Sequence, residues 1–434
     1  MLGTASKFRI VRVTNALRET RDARGWPTAF AFLVRMLIAK GPLLLRQMRE
    51  NRKSNRIRAN IARVRADMPS DMPYLAFVLT GGIGDYIVIA RFIRDLGAHI
   101  GTMKFDTFSP NPGLAAWAFA KVPGFTAAYY DLVFDRVVAK YDVGIRLNQF
   151  AVVYREHIKW TSILRNHGLT QIVDNLIRYQ PKIQLFVERH PYMDNELARA
   201  AVSGNANRQD FLHMMAGLPY GGHRLPLVQD PSVLARMGLR FGQYVTVHNG
   251  FDTGFVINGR RATKCYPHFG AVVTRLKRAF PDLQFIQVGT VTSEPIHECD
   301  HVLLNKTSLD EVVSLLANAA LHIDNEGGLV HLAACLGTRS VVVFGPTPSD
   351  YFGYAENVNI DPPVCGNCWW TSQTWMDSCP KGYEEPRCMS EQSPELVAGH
   401  AIRVLTEMVE NTDPGSVNAT SMAALQLGLT RVAS

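Results

Sequence analysis

A glycine-rich turn with polar neighbours lies between two apolar runs in the stretch 321–344, which reads LHIDNEGGLVHLAACLGTRSVVVF. The pattern predicts a strand, a turn, a short helix and a second strand, which is the βαβ unit of a parallel sheet. Ligands of such sheets bind at the carboxyl ends of the strands, and the free N–H groups at a helix start attract phosphate. We therefore expect Glu326, Gly327, Gly328 and His331 to face a ligand. The alternative is an ordinary βα turn with an incidental acid and histidine.

A second glycine-rich turn, 81–85 (GGIGD), follows the apolar run 74–79 and precedes another helical pattern. Its spacing differs from the G-x-G-x-x-G fingerprint of dinucleotide sites. Asp85 would lie at the helix start, where a carboxylate facing an interdomain cleft could act as general base for an attacking hydroxyl. The alternative is a helix cap, a common role for Asp.

Two further charged side chains lie in predicted loops. Lys264, in the segment RRATKCYP just before a predicted helix, could reach a phosphate leaving group at the cleft. Glu294 follows a predicted strand over 283–288 and could accept hydrogen bonds from sugar or ribose hydroxyls. Both residues could instead be ordinary charged groups of solvated loops.

Four cysteines near the C-terminus have the spacing C-x2-C-x10-C-x8-C: Cys365, Cys368, Cys379 and Cys388. Four thiolates at this spacing can close a tetrahedral Zn or Fe site. Such a site would be structural, because four protein ligands leave no open position for a substrate. The alternative is that the thiols are free or partly oxidised.

Alternating strand and helix patterns indicate an α/β protein with two βα-rich halves. A chain of 434 residues with 47% hydrophobic content is long enough for two domains with full cores. We predict a basic helical arm over 1–70, an N-terminal domain over 74–225 and a C-terminal domain over 240–408. The C-terminal domain would include the cysteine cluster at 365–388, and 411–434 would be a tail.

Positive charge is concentrated in the arm, since residues 1–70 contain 16 Lys and Arg against 4 Asp and Glu, whereas the whole chain has a net charge of +8. Interleaved apolar and basic residues suit a helix on an anionic membrane surface. The alternative is a helix packed on the body of the protein. Nucleic-acid binding is not expected, because no aromatic and basic platform accompanies the charge.

Apolar runs in this sequence are too short to cross a membrane, which takes about 18–20 residues. The run 29–39 contains Arg35 and lacks the features of a secretory signal. We expect a cytoplasmic protein that is peripheral at the inner membrane if the arm binds lipid.

In their order along the chain, these motifs resemble those of glycosyltransferase family 9, the heptosyltransferases. That family has the GT-B fold, in which two Rossmann-like domains face a central cleft. The resemblance covers about 74–408 and is strongest over 244–350. The matching motifs are Gly84-Asp85, Lys264 before Tyr266-Pro267, 306–312 (KTSLDEV), 326–335 (EGGLVHLAAC) and 345–347 (GPT).

The resemblance implies inverting, metal-independent transfer of a sugar from a nucleotide-diphosphate sugar, ADP-heptose in this family, to a hydroxyl. Asp85 would take the acceptor proton, and Lys264 would stabilise the leaving diphosphate. No catalytic metal is expected. The implied donor-binding residues are Gly84, Glu294, Glu326, Gly327, Gly328, His331 and Thr347.

Three features depart from the compact lipopolysaccharide heptosyltransferases. Glu326-Gly327 replaces the usual Asp-Thr, the basic arm is additional, and the cysteine cluster is similar to the iron-binding motif of the autotransporter heptosyltransferases. We expect transfer of a heptose or related sugar to a bacterial surface glycan such as the lipopolysaccharide core, with a glycan or glycolipid acceptor. The alternatives are an O-heptosyltransferase that modifies serines of autotransporter adhesins and a non-catalytic GT-B scaffold.

Overall fold

Two N-terminal helices precede two α/β halves in the computed structural model. The predicted tail, 411–434, lies outside the described residues apart from its first two positions. The residues that the structure describes are 4–52, 54–188, 194–258 and 261–412.

The predicted arm contains helices α1 (Thr4–Arg52) and α2 (Ser54–Ala66). The Gly-Pro pair at 41–42 predicts an interruption of the arm helix, and this prediction is wrong, because α1 continues through Pro42. A proline removes one helical hydrogen bond and can bend a helix without ending it. The regular geometry breaks instead at Gly25, whose φ of +77° is a left-handed conformation that glycine adopts easily.

The first half contains a five-stranded sheet in the order β3-β2-β1-β4-β5. All neighbours are parallel except the antiparallel pair of β4 and β5. The apolar runs predicted near 74–79, 103–108 and 143–147 form β1, β2 and β4, whereas β3 and β5 were not predicted. The strands are β1 (Tyr74–Leu79), β2 (Lys104–Ser109), β3 (Phe125–Tyr130), β4 (Val143–Leu147) and β5 (Ala151–Val153).

Helices connect and cover these strands. The longest are α3, which follows the first glycine-rich turn, and α7. The α-helices of this half are α3 (Ile83–Ile100), α4 (Pro112–Phe119), α5 (Phe134–Val137), α6 (Trp160–Ile163), α7 (His167–Glu188), α8 (Glu196–Ser203) and α9 (Phe211–Ala216). The next helix, α10 (Ser232–Met237), packs on the second half through Val233.

The second half contains a six-stranded parallel sheet in the order β11-β10-β9-β6-β7-β8. This is the Rossmann order, with its topological switch between β6 and β9, where ligands of such sheets bind. The strands are β6 (Tyr244–His248), β7 (Gln284–Gln287), β8 (His301–Val302), β9 (Leu321–Asn325), β10 (Ser340–Val343) and β11 (Val358–Ile360).

Local capping signals in the second half are confirmed. A serine with a glutamate three residues later predicts a capping box, and Ser308 and Glu311 form one. A glycine after an apolar helical run predicts a helix end, and Gly337 ends α13 with a φ of +79°. The helices are α11 (Phe269–Ala279), α12 (Leu309–Asn318), α13 (Gly328–Leu336), α14 (Ser349–Phe352), α15 (Arg387–Ser390) and α16 (Pro394–Thr412).

The two halves share a hydrophobic core, to which α3 contributes Ile87 and α13 contributes Val330 and Leu332. Helix α2 also packs on the first half, because Ile57 and Ile61 are buried beside β1. Burial of apolar surface therefore fixes both the contact between the halves and the position of α2.

Arg65 of α2 donates two hydrogen bonds to Asp142, from Nη1 at 2.8 Å and from Nη2 at 2.6 Å. Paired hydrogen bonds between an arginine and a carboxylate are directional and strong. For α2, the structure therefore supports packing on the body of the protein. In the described part of the chain, no helix combines the length and apolar character needed to cross a bilayer.

Candidate functional site

Glycines at the starts of α3 and α13 bring the two halves into backbone contact. A Cβ atom added to Gly84 would lie 2.5 Å from Cδ2 of His331 and 3.1 Å from Cα of Gly328. A Cβ atom on Gly328 would collide with the side chain of Ile83. The glycine-rich turns therefore let the N-termini of two helices meet at the junction, and their free N–H groups create a positive electrostatic potential there.

Substitution of Gly84 by Ala is expected to lower the free energy of unfolding by about 1–3 kcal/mol, because the added methyl overpacks the contact with His331. Urea denaturation measures this change. Gly399→Ala in α16 is the matched control, since no heavy atom lies within 4 Å of its Cβ position. In a helix, that substitution should be neutral or stabilising. Equal effects of the two substitutions would contradict a close contact at Gly84.

Asp85 lies in the first turn of α3 and has two structural roles. Its Oδ2 accepts a hydrogen bond from the backbone N–H of Gly82 at 3.1 Å, so Asp85 contributes to the helix cap from the N3 position, while Gly82 holds the N-cap position itself. Its Oδ1 accepts from Nε2 of Gln149 at 2.9 Å and from Nη2 of Arg208 at 2.8 Å. The side chain is still 22% exposed. A carboxylate oxygen can accept more than one hydrogen bond, so Oδ2 can also accept a proton from a bound hydroxyl.

Arg208, which the sequence analysis missed, links Asp85 to the second half. Its side chain is only 1% exposed, and its backbone N–H donates to the carbonyl of Tyr351 at 2.7 Å. Among the described residues, its Nη1 atom has no hydrogen-bond partner. No local motif marks this arginine, because its carboxylate partner lies 123 positions away in the sequence.

Lys264 and Glu326 form a buried ion pair in the second half. Nζ of Lys264 donates to Oε2 of Glu326 at 2.7 Å, and the side chains are 11% and 9% exposed. The solvated-loop alternative for Lys264 is therefore wrong. An ammonium group has three N–H donors, so Lys264 can bind Glu326 and an anionic ligand together.

A fully buried arginine of α3, Arg91, sets the hydrogen bonding of His331. Nη1 of Arg91 donates to the hydroxyl of Tyr354 at 2.7 Å, and this hydroxyl lies 2.7 Å from Nδ1 of His331. Because Arg91 has only donors, the Tyr354 oxygen accepts from it and can donate its own proton to Nδ1. In that tautomer the proton of His331 is on Nε2, which makes Nε2 a donor.

Burial lowers the pKa of His331 well below its ordinary value, and the charges of Arg91, Arg208 and Lys264 lower it further. His331 is therefore neutral near pH 7. Of these cations, Arg91 contacts His331 directly, because its Nη2 donates to the backbone carbonyl of His331 at 3.0 Å. The structure thus brings residues of both predicted glycine-rich turns into one cluster.

The other two predicted donor-binding residues follow β7 and β10, on either side of the central β6–β9 pair. Glu294 accepts hydrogen bonds from Arg261, at 3.1 Å from Nε and 2.5 Å from Nη2. Thr347 is buried, and its Oγ1 has no hydrogen-bond partner in the described part of the chain. Both side chains lie at the carboxyl edge of the second sheet, where its ligands are expected.

The four clustered cysteines are free thiols. Burial, followed by the negative charges of the other three, raises the pKa of Cys388 to about 12, and the pKa of Cys368 is raised to about 11. The thiols therefore lie within electrostatic range of each other. Nevertheless, within the described ranges, no three or more His, Cys, Asp or Glu residues are arranged to hold a metal ion. The donor set suits Zn or Fe, but this geometry does not, and the structural metal stays a prediction.

Comparison with known proteins gives a family match that includes the second glycine-rich turn. Residues 254–361 match the model of Glycosyltransferase family 9 (heptosyltransferase). The second half of the chain resembles glycosyltransferase family 9. A segment of 65 residues is 39% identical to Lipooligosaccharide heptosyltransferase 2 of Haemophilus influenzae. That match covers 15% of this chain and about a fifth, 19%, of the relative.

A solved glycosyltransferase structure shows that the likeness extends to the fold. TibC from enterotoxigenic E. coli, a bacterial iron-containing dodecameric glycosyltransferase, has a TM-score of 0.50 at 13% identity, over 78% of this chain and 77% of TibC. E. coli ADP-heptose lps heptosyltransferase II has a TM-score of 0.49 at 13% identity, over 77% of this chain and 99% of that protein. The predicted GT-B fold is confirmed.

Proposed function

We propose that this protein is an inverting glycosyltransferase that transfers a heptose or related sugar from ADP-heptose to a hydroxyl of a bacterial surface glycan. The lipopolysaccharide core is the acceptor class that we favour. The observation that carries the proposal is the contact between the starts of α3 and α13, with Asp85 in one half and Lys264 in the other.

The charge around this contact suits a diphosphate. Arg208 pairs with Asp85 and Lys264 pairs with Glu326, and the buried Arg91 donates to the backbone carbonyl of His331. The carboxylate of Asp252 lies beside Gly82 at the same contact. The two helix N-termini add partial positive charge. The Nε2–H donor of neutral His331 adds a hydrogen bond to a phosphate oxygen. Diphosphate charge that grows as the sugar leaves is therefore stabilised by groups that are already in place.

In the proposed step, the acceptor oxygen attacks the anomeric carbon and forms the new glycosidic bond. The bond between that carbon and the β-phosphate oxygen breaks, and its electron pair stays on the nucleoside diphosphate. The acceptor proton moves to the Asp85 carboxylate. Attack from the face opposite to the leaving group inverts the anomeric configuration. Asp85 acts as general base, and Lys264 stabilises the departing diphosphate.

The cysteine cluster favours a second candidate, transfer to serine hydroxyls of a protein, because a similar motif occurs in autotransporter heptosyltransferases. The donor and the roles of Asp85 and Lys264 would be the same. A purely non-catalytic scaffold would not need the buried pairing of Lys264 with Glu326 or of Asp85 with Arg208. Assays with a core glycolipid and with a serine-rich peptide separate the two acceptors.

A thermal-shift panel of ADP, UDP, GDP and CMP with their sugars tests the donor. A ligand present at 100 times its Kd stabilises the folded state by about 2.7 kcal/mol. We expect ADP and ADP-heptose to raise the Tm of the wild type, and Lys264→Met/Glu326→Gln, which leaves no unpaired buried carboxylate, to weaken this shift. A Tm shift with another nucleotide would indicate a different donor. The absence of a Tm shift with any of these nucleotides would contradict the proposal.

We further propose that α1 binds the surface of an anionic membrane, where a glycolipid acceptor would be anchored. Large apolar side chains are exposed along α1 and lie within about 120° of its circumference at 3.6 residues per turn. The surrounding 1–70 segment has 16 basic and 4 acidic residues, which is complementary to anionic lipid. The exposed stripe consists of Trp26, Phe30, Val34, Leu37, Ile38, Leu45 and Met48.

The double variant Trp26→Ser/Phe30→Ser is expected to bind vesicles containing anionic phospholipid at least about tenfold more weakly, because it removes two large apolar contacts. Co-sedimentation measures this change. Phe241→Ser, at another exposed aromatic position, is the control. Retained vesicle binding by the double variant would contradict the proposal. The proposal would also be contradicted if the wild type formed an oligomer that the double variant dissociates, because a second copy of the chain would then cover the stripe.

A further inference from the structure

The turn 372–378, inside the cysteine-rich segment, lies between α1 and the loop 249–266, which contains Lys264. The described residues of this loop form no helix or strand. Its conformation therefore depends on hydrogen bonds to neighbouring segments rather than on its own regular structure.

On one side, a single carboxylate of α1 binds the backbone of the turn. Glu19 accepts hydrogen bonds from the N–H of Gln373 at 3.1 and 2.9 Å and from the N–H of Thr374 at 3.2 Å. Oγ1 of Thr374 lies 3.3 Å from the same carboxylate. Five residues further along α1, Nη2 of Arg24 donates to Oγ of Ser378 at 2.8 Å. Hydrogen bonds to a charged acceptor are stronger than those between neutral groups.

On the other side, the turn holds the residue that precedes the lysine. The N–H of Thr263 donates to the carbonyl of Met376 at 2.9 Å, and Oγ1 of Thr263 donates to the carbonyl of Trp375 at 2.6 Å. Asp377 accepts from the N–H of Asn258 at 2.5 Å and from its Nδ2 at 2.9 Å. Consecutive residues of the turn therefore bind α1 through their N–H groups and the loop through their carbonyls and a carboxylate.

We propose that Glu19 is a positioning residue for Lys264, acting through the turn 372–378 and Thr263. This proposal rests on the proposed function, in which Lys264 stabilises the departing diphosphate. Glu19 does not touch the reacting atoms in this account. It fixes the turn, the turn fixes Thr263, and Thr263 fixes the backbone from which Lys264 reaches Glu326 and the diphosphate. The N-terminal helix is thereby part of the active-site architecture.

Glu19→Ala tests the proposal. We expect kcat to fall about tenfold or more with little change in the KM for the acceptor, because small displacements of a catalytic group are costly. Glu19→Gln keeps a carbonyl acceptor and should recover part of the loss. Asp22→Ala, also on α1, is the control, because Asp22 is exposed and pairs with the adjacent Arg21. A loss of Tm without a loss of kcat at lower temperature would overturn the proposal.

A double-variant cycle tests whether Glu19 acts through the lysine. In the Lys264→Met/Glu326→Gln background, which leaves no unpaired buried carboxylate, Glu19→Ala should lower kcat by less than about twofold, since the group that it positions is already absent. If the two losses multiply as independent effects, the proposal is overturned.

Hydrogen exchange separates this proposal from the proposed function, because it requires no activity. Amides of 252–266 should exchange faster in Glu19→Ala than in the wild type and the Asp22→Ala control. Unchanged exchange in Glu19→Ala would overturn the positioning role. If the wild type transfers no sugar, the proposed function fails, and this exchange result alone decides whether Glu19 orders the loop.

Discussion

Asp85→Asn is expected to lower kcat for sugar transfer by about 10²–10⁴-fold, which is the usual contribution of a positioned general base. The amide oxygen can still accept a hydrogen bond from Gly82 or Arg208, but the side chain cannot take the acceptor proton. Donor binding should persist, so the Tm shift with ADP should remain. The measurement is the initial rate of ADP release at saturating donor and acceptor.

Asp95→Asn is the matched control for this variant. Asp95 also lies on α3 and is paired, with Arg94 at 2.7 Å and His213 at 2.9 Å, and these hydrogen bonds lower its pKa to about 2 although burial raises it. Both variants weaken a charge pair, so both can lose stability. Only Asp85→Asn should lower kcat, because only Asp85 takes the acceptor proton in the proposed step. A comparable loss of kcat in both variants would show that Asp85 acts through the stability of α3.

Replacement of Lys264 by Met is expected to lower kcat by about 10²–10³-fold, the effect of removing one preorganised group that stabilises transition-state charge. The single variant would leave Glu326 as a buried, unpaired carboxylate, which is strongly destabilising. The double variant Lys264→Met/Glu326→Gln has no unpaired buried carboxylate at this position and should fold normally. Steady-state kinetics with ADP-heptose provide the comparison.

Lys277→Met is the control for the lysine. Lys277, on helix α11, also pairs with a carboxylate, that of Asp300 at 2.6 Å. This pair lies at the protein surface, because both side chains are 35% exposed. Exposed pairs contribute little to stability, and this variant should keep its activity. If the Lys264 double variant retains wild-type kcat, the leaving diphosphate is stabilised by other groups and the proposed role is wrong.

Local sequence signals predicted the elements that form this site. The βαβ unit over 321–344, the Ser308 capping box and the Gly337 helix end are confirmed, because each depends on residues within a few positions. Strand β3 was missed, since FTAAYY is short and half-buried without a clear alternation. Helix α3 begins at Ile83, inside the predicted turn. The side chain of Asp85, in the first turn of this helix, accepts a hydrogen bond from the backbone N–H of Gly82 and so stabilises the early start.

Tertiary partners of the site residues could not be predicted. Asp85, Lys264 and His331 were found from turn chemistry, but the residues that hold them are far away in sequence. Arg208 lies 123 positions from Asp85, and Arg91 lies 240 positions from His331. Both arginines are fully buried, although charged residues are seldom fully buried in proteins. Their contacts with Asp85 and His331 therefore become visible only in the folded structure.

The packing interpretation of the N-terminal arm is confirmed for α2, whereas membrane binding by α1 stays a proposal. Helix α2 packs on the first half through Ile57 and Ile61, as the packing alternative predicted. Helix α1 binds the turn 372–378 through Glu19 and leaves an apolar stripe exposed. A periodicity argument cannot separate these outcomes, because apolar faces that pack and apolar faces that stay exposed have the same spacing.

The most direct test of the central claim is NMR observation of wild-type protein with ADP-heptose and a purified lipopolysaccharide core acceptor. The account predicts release of ADP together with a new glycosidic linkage of inverted anomeric configuration, and loss of both signals with Asp85→Asn. Product with retained configuration would contradict direct displacement assisted by Asp85. Bound ADP-heptose without transfer to either the core glycolipid or a serine-rich peptide would contradict the transferase function itself.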